Sequence, residues 1–547
     1  MNSKEVWLLG PPGTGKTTKL TAYILEGVQK VGNNGVLVGS FTKAAATELI
    51  SRQLPVPESN IGTLHALCYR ALGRPEIAEV KHIAEWNTFE PQYALSKASG
   101  KVNVDNPTSE EETATDGDRL LQEYNTLRAK LTPREYYNPD VEAFALRWDF
   151  WKDLNGFVDF TGLIERGITH LDFVPGKPRI MYMDECQDFS ALELKLVRKW
   201  EQSVDLCFMS FDDDQSIYHF KGASPEELIR NPAAKQQVLK QSYRVPRAIL
   251  DKSQEWIKQV NVRAVKEYKP RWNIPDDPDS GEAIGSIRYL DASYKYIEPV
   301  IDDALEQVAS GKKVMILATC SYMLDPLKAV LRREGIPFCN PYRTTRGDWN
   351  PLRFDENRIS AAQRLSSYLK VHEGQLWTPN DITLWSEDIR AAGIFIHGGK
   401  TALSEGEWNE DPAVAAQQMA FQFEEGVYEE AFANAYEGET TWFEKNLLAS
   451  RINAYTYPVT VYKKGGIQNL LTRPSIIIGT IHSVKGGEAD IVYLFPDLSL
   501  AGINEWNGNG GSEGGKDAIV RLFYVAMTRA KEELVLCNAS QQYYIQL

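Results

Sequence analysis

Apolar positions along this chain follow two rhythms: short unbroken runs, and longer stretches in which they recur every three or four residues. Glu5-Val6-Trp7-Leu8-Leu9 is a run of the first kind, closed by a glycine-rich turn and followed by a helical pattern over Thr18–Ile24. A second run, 35–41, follows the turn Gly32-Asn33-Asn34-Gly35 and leads into a helical pattern over Thr42–Ile50. Strand, loop and helix repeated in this way predict a parallel α/β sheet whose ligands gather on the loops at the strand ends.

Between 81 and 167 the rhythm becomes helical and aromatic. A polar loop, Asn103–Asp118, breaks it; the loop contains Ser109-Glu110-Glu111-Glu112 and is expected to be mobile. Apolar runs resume at Arg179–Asp188 and Asp205–Gln215, each ending in acidic residues. A second α/β unit is predicted at Lys312–Ala318, with a helical pattern over Met323–Glu334 and a turn at Gly335-Ile336-Pro337. Largely helical sequence interrupts it before Ser475–Gly479, Ala489–Leu494 and Glu533–Leu536 complete it. The predicted fold class is therefore α/β, with two parallel-sheet cores that each carry a mainly helical insertion. The first core takes 1–80 and 168–250 with its insertion at 81–167; the second takes 251–345 and 465–547 with its insertion at 346–464. Asn507–Gly515 reads as a flexible loop by composition.

Composition changes this picture in three respects. The 547 residues exceed one hydrophobic core and suit about three or four domains. The six cysteines are scattered without a C-x-x-C pair, so free thiols are expected rather than a disulfide frame or a zinc site. The first strand begins close to Met1, which leaves no room for a signal peptide, and no apolar run reaches the ~20 residues that span a bilayer, so a cytoplasmic protein without a membrane partner is expected. A net charge of −14 would argue against nucleic acid. The excess is local, however: Lys400–Lys445 holds eleven acidic and two basic residues, a net of −9, which leaves −5 for the rest. A basic groove elsewhere is compatible with that balance.

The candidate chemistry sits where the runs end. Gly10-Pro11-Pro12-Gly13-Thr14-Gly15-Lys16-Thr17 fits the phosphate-binding loop G-x-x-x-x-G-K-[ST], with a strand entering and a helix leaving. Its backbone N–H groups and helix N-terminus suit phosphate, Lys16 suits the β and γ oxygens, and the Thr17 hydroxyl suits Mg²⁺. ATP or GTP is the expected ligand. Asp184-Glu185 supplies the companion carboxylates, one for Mg²⁺ and one to take the proton of an attacking water.

These stretches, together with Asp184–Asp188, Asp212–Ala223, Gln241–Arg244, Gly479–Glu488 and Leu522–Lys531, resemble the ordered motifs of superfamily 1A DNA helicases of the UvrD, Rep and PcrA group. The resemblance runs from residue 6 to residue 536 and implies two RecA-like cores. It implies that Gln215 senses the γ-phosphate and that Arg244 and Arg529 reach it as arginine fingers. Tyr243 would stack on adenine, Glu488 would bind ribose, and Thr18 and Gly486 would complete the nucleotide site. Single-stranded DNA would lie on Phe41, Tyr218 and Phe220, with Thr63, His65, Thr480 and His482 near its backbone. The implied activity is an ATP-dependent, Mg²⁺-requiring 3′-to-5′ DNA helicase and translocase acting on single strands and single-strand/duplex junctions. The alternatives are a translocase that displaces proteins or needs a partner to unwind, and a DNA-binding regulatory subunit without turnover.

The chain departs from the family pattern in several places. No adenine-reading glutamine segment is expected ahead of the first strand, Ala44 stands where the family has lysine, Phe211 replaces a glycine, and Phe220 stands where tryptophan is common. The chain ends 18 residues after Arg529, so no C-terminal nuclease is expected. In the acidic insertion Met419, Phe423, Val427 and Phe432 are spaced as a packed helix face, with docking of a protein partner as the rival use.

Overall fold

The computed structural model describes residues 4–41, 50, 52–96, 115–230, 235–344, 346–352, 359–409, 411–508, 514–540 and 542–547. The helix expected over Thr42–Ile50 lies outside the described residues apart from Ile50, as do 103–114 of the polar loop and 509–513 of the glycine-rich loop. The chain divides into two compact units, 1–289 with 480–547, and 290–479.

The first unit is built on six strands: β1 (Glu5–Leu9), β2 (Val36–Ser40), β3 (Ile61–Thr63), β4 (Ile180–Asp184), β5 (Leu206–Phe211) and β6 (Lys235–Val238). They lie in the order β3-β2-β4-β5-β1-β6, and every pairing is parallel. Both faces of β1, β2, β4 and β5 are covered, which is why these strands read as largely solid apolar runs rather than alternating ones. Trp7, Leu9, Met181, Met183 and Met209 pack to one side with Leu194, Val197 and Trp200 of helix Ala191–Glu201. Leu8, Val36, Val38, Ile180 and Tyr182 pack to the other with Leu20, Ile24 and Val28 of helix Lys16–Val31.

Between β3 and β4 the helices Ile83–Phe89, Asp116–Ala129 and Pro139–Asn155 enclose a separate aromatic core. Trp86 stands edge-on to Phe144, Trp148 and Trp151 at 5.9, 5.0 and 5.4 Å. Beside it the fully buried Asp159 caps the helix Phe160–His170 through the Gly162 N–H and accepts from Arg128, Lys152 and Trp148 Nε1.

The remaining strands carry the second core. In the first unit β10 (Ala489–Leu494) and β11 (Ala530–Cys537) run parallel, with β7 (Ser286–Leu290) beside β11. In the second unit β8 (Val314–Ala318) lies beside β9 (Ile476–Thr480), among helices that include Glu298–Ala309 and Asp325–Arg333. The fold is thus α/β with two RecA-like parallel-sheet cores. The helical part of the second unit packs around Tyr368, with Trp377, Trp385 and Phe443 at 5.8, 5.6 and 4.8 Å. Met419 and Phe423 are buried there, but the spacing from Met419 to Phe432 is not one helix face: helices Pro412–Ala420 and Val427–Tyr436 are separate, and Phe423 falls between them. All six cysteines are buried, and none is in a disulfide. Among the described residues no helix is long and apolar enough to cross a membrane.

One polar element in the first unit bears on its stability. Asp212, Asp213 and Asp214 are fully buried, and the equally buried Lys266 contacts all three, Asp212 and Asp214 at 3.0 Å. Arg263 adds a two-bond pair to Asp214 at 2.8 and 2.6 Å. Removing one member of such a cluster strands buried charge, so Lys266→Met is expected to destabilise this unit by about 3–5 kcal/mol. Denaturant unfolding followed by tryptophan fluorescence reads this directly; a loss below about 1 kcal/mol would mean that the aspartates do not depend on Lys266.

Candidate functional site

The parallel register decides which side chains meet. Leu9 pairs with Phe211, Ser40 with both Thr63 and Asp184, and Val238 with Leu9, so the C-terminal ends of these strands share one edge of the sheet. Gly10-to-Gly15 leaves β1 at that edge, and the Gly10 N–H donates to the Phe211 carbonyl at 3.0 Å. A Cβ on Gly10 would stand 2.6 Å from Lys16 Cβ, so only glycine leaves room for the lysine to fold back over the loop. The loop also closes on itself through Thr14, whose N–H and hydroxyl both donate to the Pro11 carbonyl.

The Gln241–Arg244 stretch is fastened to this loop. Ser242 Oγ donates to the Pro12 carbonyl and the Tyr243 N–H to the Gly13 carbonyl, both at 2.8 Å. Gly13 has φ +70°, and a Cβ there would collide with the Arg244 Cβ. Tyr243 is left half-exposed beside Gly15, its ring edge-on to Trp272 at 5.7 Å. Thr17 is partly exposed and Thr18 exposed on the first turn of helix Lys16–Val31.

At the end of β4, Lys16 Nζ lies 2.7 Å from Glu185 Oε1. Burial works against the Lys16 charge, but the Glu185 and Asp184 carboxylates outweigh it and hold the ammonium well above its ordinary range. Burial and then the neighbouring Glu185 charge push the Asp184 carboxyl up. Burial alone would also raise Glu185; the Lys16 and Lys485 ammonium groups reverse that and hold it low. Glu185 adopts a left-handed backbone, φ +55°, as the chain turns out of the strand. Such a conformation is costly for a residue with a Cβ and turns up preferentially where a side chain must be aimed. Gln187 Nε2 donates to Glu185 Oε2 at 2.5 Å, while its own Oε1 accepts from the Asp212 N–H at 3.1 Å.

Gln215 joins the same network. It donates to Asp212 Oδ2 at 2.7 Å and accepts from Arg529 Nη2 at 2.9 Å. Arg529, 1% exposed, also donates to the carbonyls of Val525 and Gly487. Arg244 Nε donates to Glu488 Oε2 at 2.8 Å. The parallel start of β10 and β11, where the Ala489 N–H donates to the Arg529 carbonyl, sets Glu488 and Arg529 side by side, while Gly486 is exposed on the turn before them. The arrangement offers a glycine cradle, three cations and an aimed carboxylate, which is the equipment for binding and cleaving a phosphoanhydride. The oxygen donors of Thr17 and Asp184 suit a hard cation such as Mg²⁺. Among the described residues no three His, Cys, Asp or Glu side chains converge as a metal site.

The aromatic residues expected on DNA form one cluster. The Tyr218 ring lies 5.5 Å from Phe41, 6.0 Å from Phe220 and 6.3 Å from His482, and Phe220 meets His482 edge-on at 5.5 Å. Tyr218 is only 7% exposed, whereas Phe41 and Phe220 are half-buried. His482 Nε2 meets the Ile217 carbonyl at 3.1 Å. Thr63 and Thr480 hold matching posts: each ends a strand in extended backbone, and its hydroxyl accepts from the N–H three residues on. Their side chains are thereby used as helix caps. His65 is partly exposed, 3.7 Å from Glu193.

Sequence reading missed several residues that brace this site: Gln187, Trp272, Arg263, Lys266 and the Asp188–Lys485 pair. Gln187 and Asp188 lie within Asp184–Asp188 and Lys485 within Gly479–Glu488, so membership of those stretches was the available signal; Arg263, Lys266 and Trp272 lie outside every such stretch.

Comparison with known proteins agrees with this geometry. The UvrD/REP helicase N-terminal domain family matches residues 1–234 and the UvrD-like helicase C-terminal domain family matches 459–541. Similar proteins include the ATP-dependent DNA helicase PcrA of Staphylococcus epidermidis, 25% identical over 395 residues, and that of Staphylococcus aureus, 25% identical over 390. Each alignment covers 66% of this chain and 51% of the relative, so the chain spans about half the length of the curated relatives it matches. With its two ends matched by the two halves of one family, and the motifs of both drawn into a single network, the chain belongs to the UvrD/Rep family of superfamily 1 helicases.

Proposed function

We propose that this protein is an ATP-dependent DNA helicase that moves 3′-to-5′ on single-stranded DNA, and that the four-part division read from its sequence is the motor's anatomy. The observation that carries the reading is the continuity of one hydrogen-bonded network. It runs from Lys16 through Glu185, Gln187 and Asp212 to Gln215 and Arg529, and the same 212–220 stretch ends in the aromatic cluster. A motor needs hydrolysis to be felt where DNA is held, and this stretch touches both.

In this reading Lys16 exchanges Glu185 for the β and γ oxygens, and the released carboxylate takes the proton of the attacking water. Thr17 and Asp184 hold Mg²⁺, which when bound neutralises charge on the phosphates. Arg244 exchanges Glu488 for the phosphoryl group while Glu488 turns to the ribose, and Arg529 meets the group from its seat against Gln215. Tyr243, steadied by Trp272, stacks on the base. Phe41 and Phe220 offer partly exposed rings to DNA bases, and the buried Tyr218 supports them. A cytoplasmic location belongs to the same reading.

One observation favours a second reading, a translocase that needs a partner to unwind. Glu405, Glu407, Glu424, Glu425, Glu429, Glu430, Glu437 and Glu439 are all exposed in the second unit. Carboxylates displayed in this number repel duplex phosphate and suit a basic protein partner.

Steady-state ATP hydrolysis with and without single-stranded DNA is expected to show strong stimulation by DNA. Glu185→Gln should lower turnover by about 10²-fold or more while leaving ATP binding intact. Only 3′-tailed duplexes should be unwound; stimulation without unwinding would move the assignment to the partner-dependent translocase, and a rate indifferent to DNA would sink the motor. Phe220→Ala is expected to weaken single-strand binding by about 1–3 kcal/mol, read by fluorescence anisotropy, and unchanged affinity would remove Phe220 from the DNA path.

A further inference from the structure

Two ammonium groups lie against the ring of Tyr218. Lys485 Nζ is 4.9 Å from its centroid and Lys221 Nζ is 5.4 Å from it, both within cation–π range. With Phe41 also beside the ring, Tyr218 is almost completely enclosed, so a DNA base cannot reach its face without moving a neighbour. The same Lys485 ammonium pairs with Asp188 Oδ2 at 2.5 Å, and Asp188 is buried. Asp188 sits on the short turn that follows Glu185: its N–H donates to the Glu185 carbonyl at 3.1 Å, and its neighbour Gln187 grips the Glu185 carboxylate. The chain carrying Lys485 is itself moored three residues earlier, where His482 meets the Ile217 carbonyl beside Tyr218. One ammonium therefore touches both the aromatic cluster and the turn that aims the proposed base.

We propose that Lys485 is a positioning residue that, through Asp188, couples base stacking at the Tyr218 cluster to the placement of Glu185. The inference rests on the motor reading above. A base pressing on the cluster displaces Lys485 from the ring, and because the ammonium is shared with Asp188, the turn holding Glu185 shifts with it. Asp188 has no cheap alternative to following, since a buried carboxylate that loses its cation is strongly destabilised. Lys485 then sets how strongly DNA accelerates turnover, over and above its part in holding Glu185 charged, and not the grip on DNA.

The test uses the full chain, with ATP turnover titrated against an oligothymidylate and affinity for that oligonucleotide measured by anisotropy. Wild type, Lys485→Met, Lys485→Arg, Asp188→Asn and the double variant Lys485→Met/Asp188→Asn are compared. Lys485→Met is expected to keep oligonucleotide affinity within about threefold while its stimulation factor, the ratio of turnover with DNA to turnover without, falls by about fivefold or more. Asp188→Asn should lose stimulation similarly, the double variant should lose no more than either single one, and Lys485→Arg should recover part of it. If Lys485→Met fails to fold, the double variant, which leaves no unpaired buried charge, carries the same comparison. Wild-type stimulation in both the Lys485→Met and the double variant would overturn the proposal. So would a parallel fall in DNA-free turnover, affinity and stimulation, the signature of a merely structural role. Wild-type protein that DNA does not stimulate would instead overturn the motor reading, and this inference with it.

Discussion

The level ending of five parallel strands is the constraint on which the site depends. Because β1 to β5 pair in parallel and in register, Leu9, Ser40, Thr63, Asp184 and Phe211 finish along one edge. Everything that must face a ligand can then be supplied by the residue or two that follow each strand, where the backbone no longer serves the sheet. Gly10, Phe41, Glu185 and Asp212 are those residues. The second parallel pair works from its opposite end: Glu488 and Arg529 come just before β10 and β11, and the register Ala489↔Ala530 sets them together.

Charge is handled in this molecule by pairing it before it is used. Lys16 with Glu185, Lys485 with Asp188, and Lys266 with three aspartates are partly or wholly buried pairs, and Arg244 pairs with the exposed Glu488. Such pairs add little net stability compared with apolar packing, but leaving one partner alone is expensive, so each side chain is held in a defined place. That suits a site whose cations must exchange a protein carboxylate for a phosphate without searching for it. The helical insertion of the first unit uses the same device structurally, with Asp159 holding Arg128 and Lys152 beneath an aromatic core.

The acidic insertion separates charge from stability in the other direction. Its core is aromatic, centred on Tyr368 and Trp385, and eight glutamates between 405 and 439 are displayed to solvent. The net −14 of the chain therefore says little about the first unit, where Lys221 and Lys485 lie against the Tyr218 ring.

The sequence by itself determined the α/β class, the strands that are solid apolar runs, and the loops that carry chemistry, because burial on both faces and glycine-dependent turns leave local marks. It did not disclose β3, β6 or β7: Ile61–Thr63 is too short to show a rhythm, Lys235-Gln236-Gln237-Val238 is an exposed polar edge, and Ser286–Leu290 alternates only weakly. Nor did it separate Tyr218, which is enclosed, from Phe41 and Phe220, which are partly open, since all three are aromatic residues in polar surroundings. Only the tertiary structure decided that Thr63 and Thr480 are used as caps, that Trp272 braces Tyr243, and that Lys485 stands between Asp188 and Tyr218. The Trp272 and Lys485 contacts join residues 29 to about 300 positions apart, and which distant side chains meet is set by strand order and register, information that no local pattern of apolar and polar residues contains.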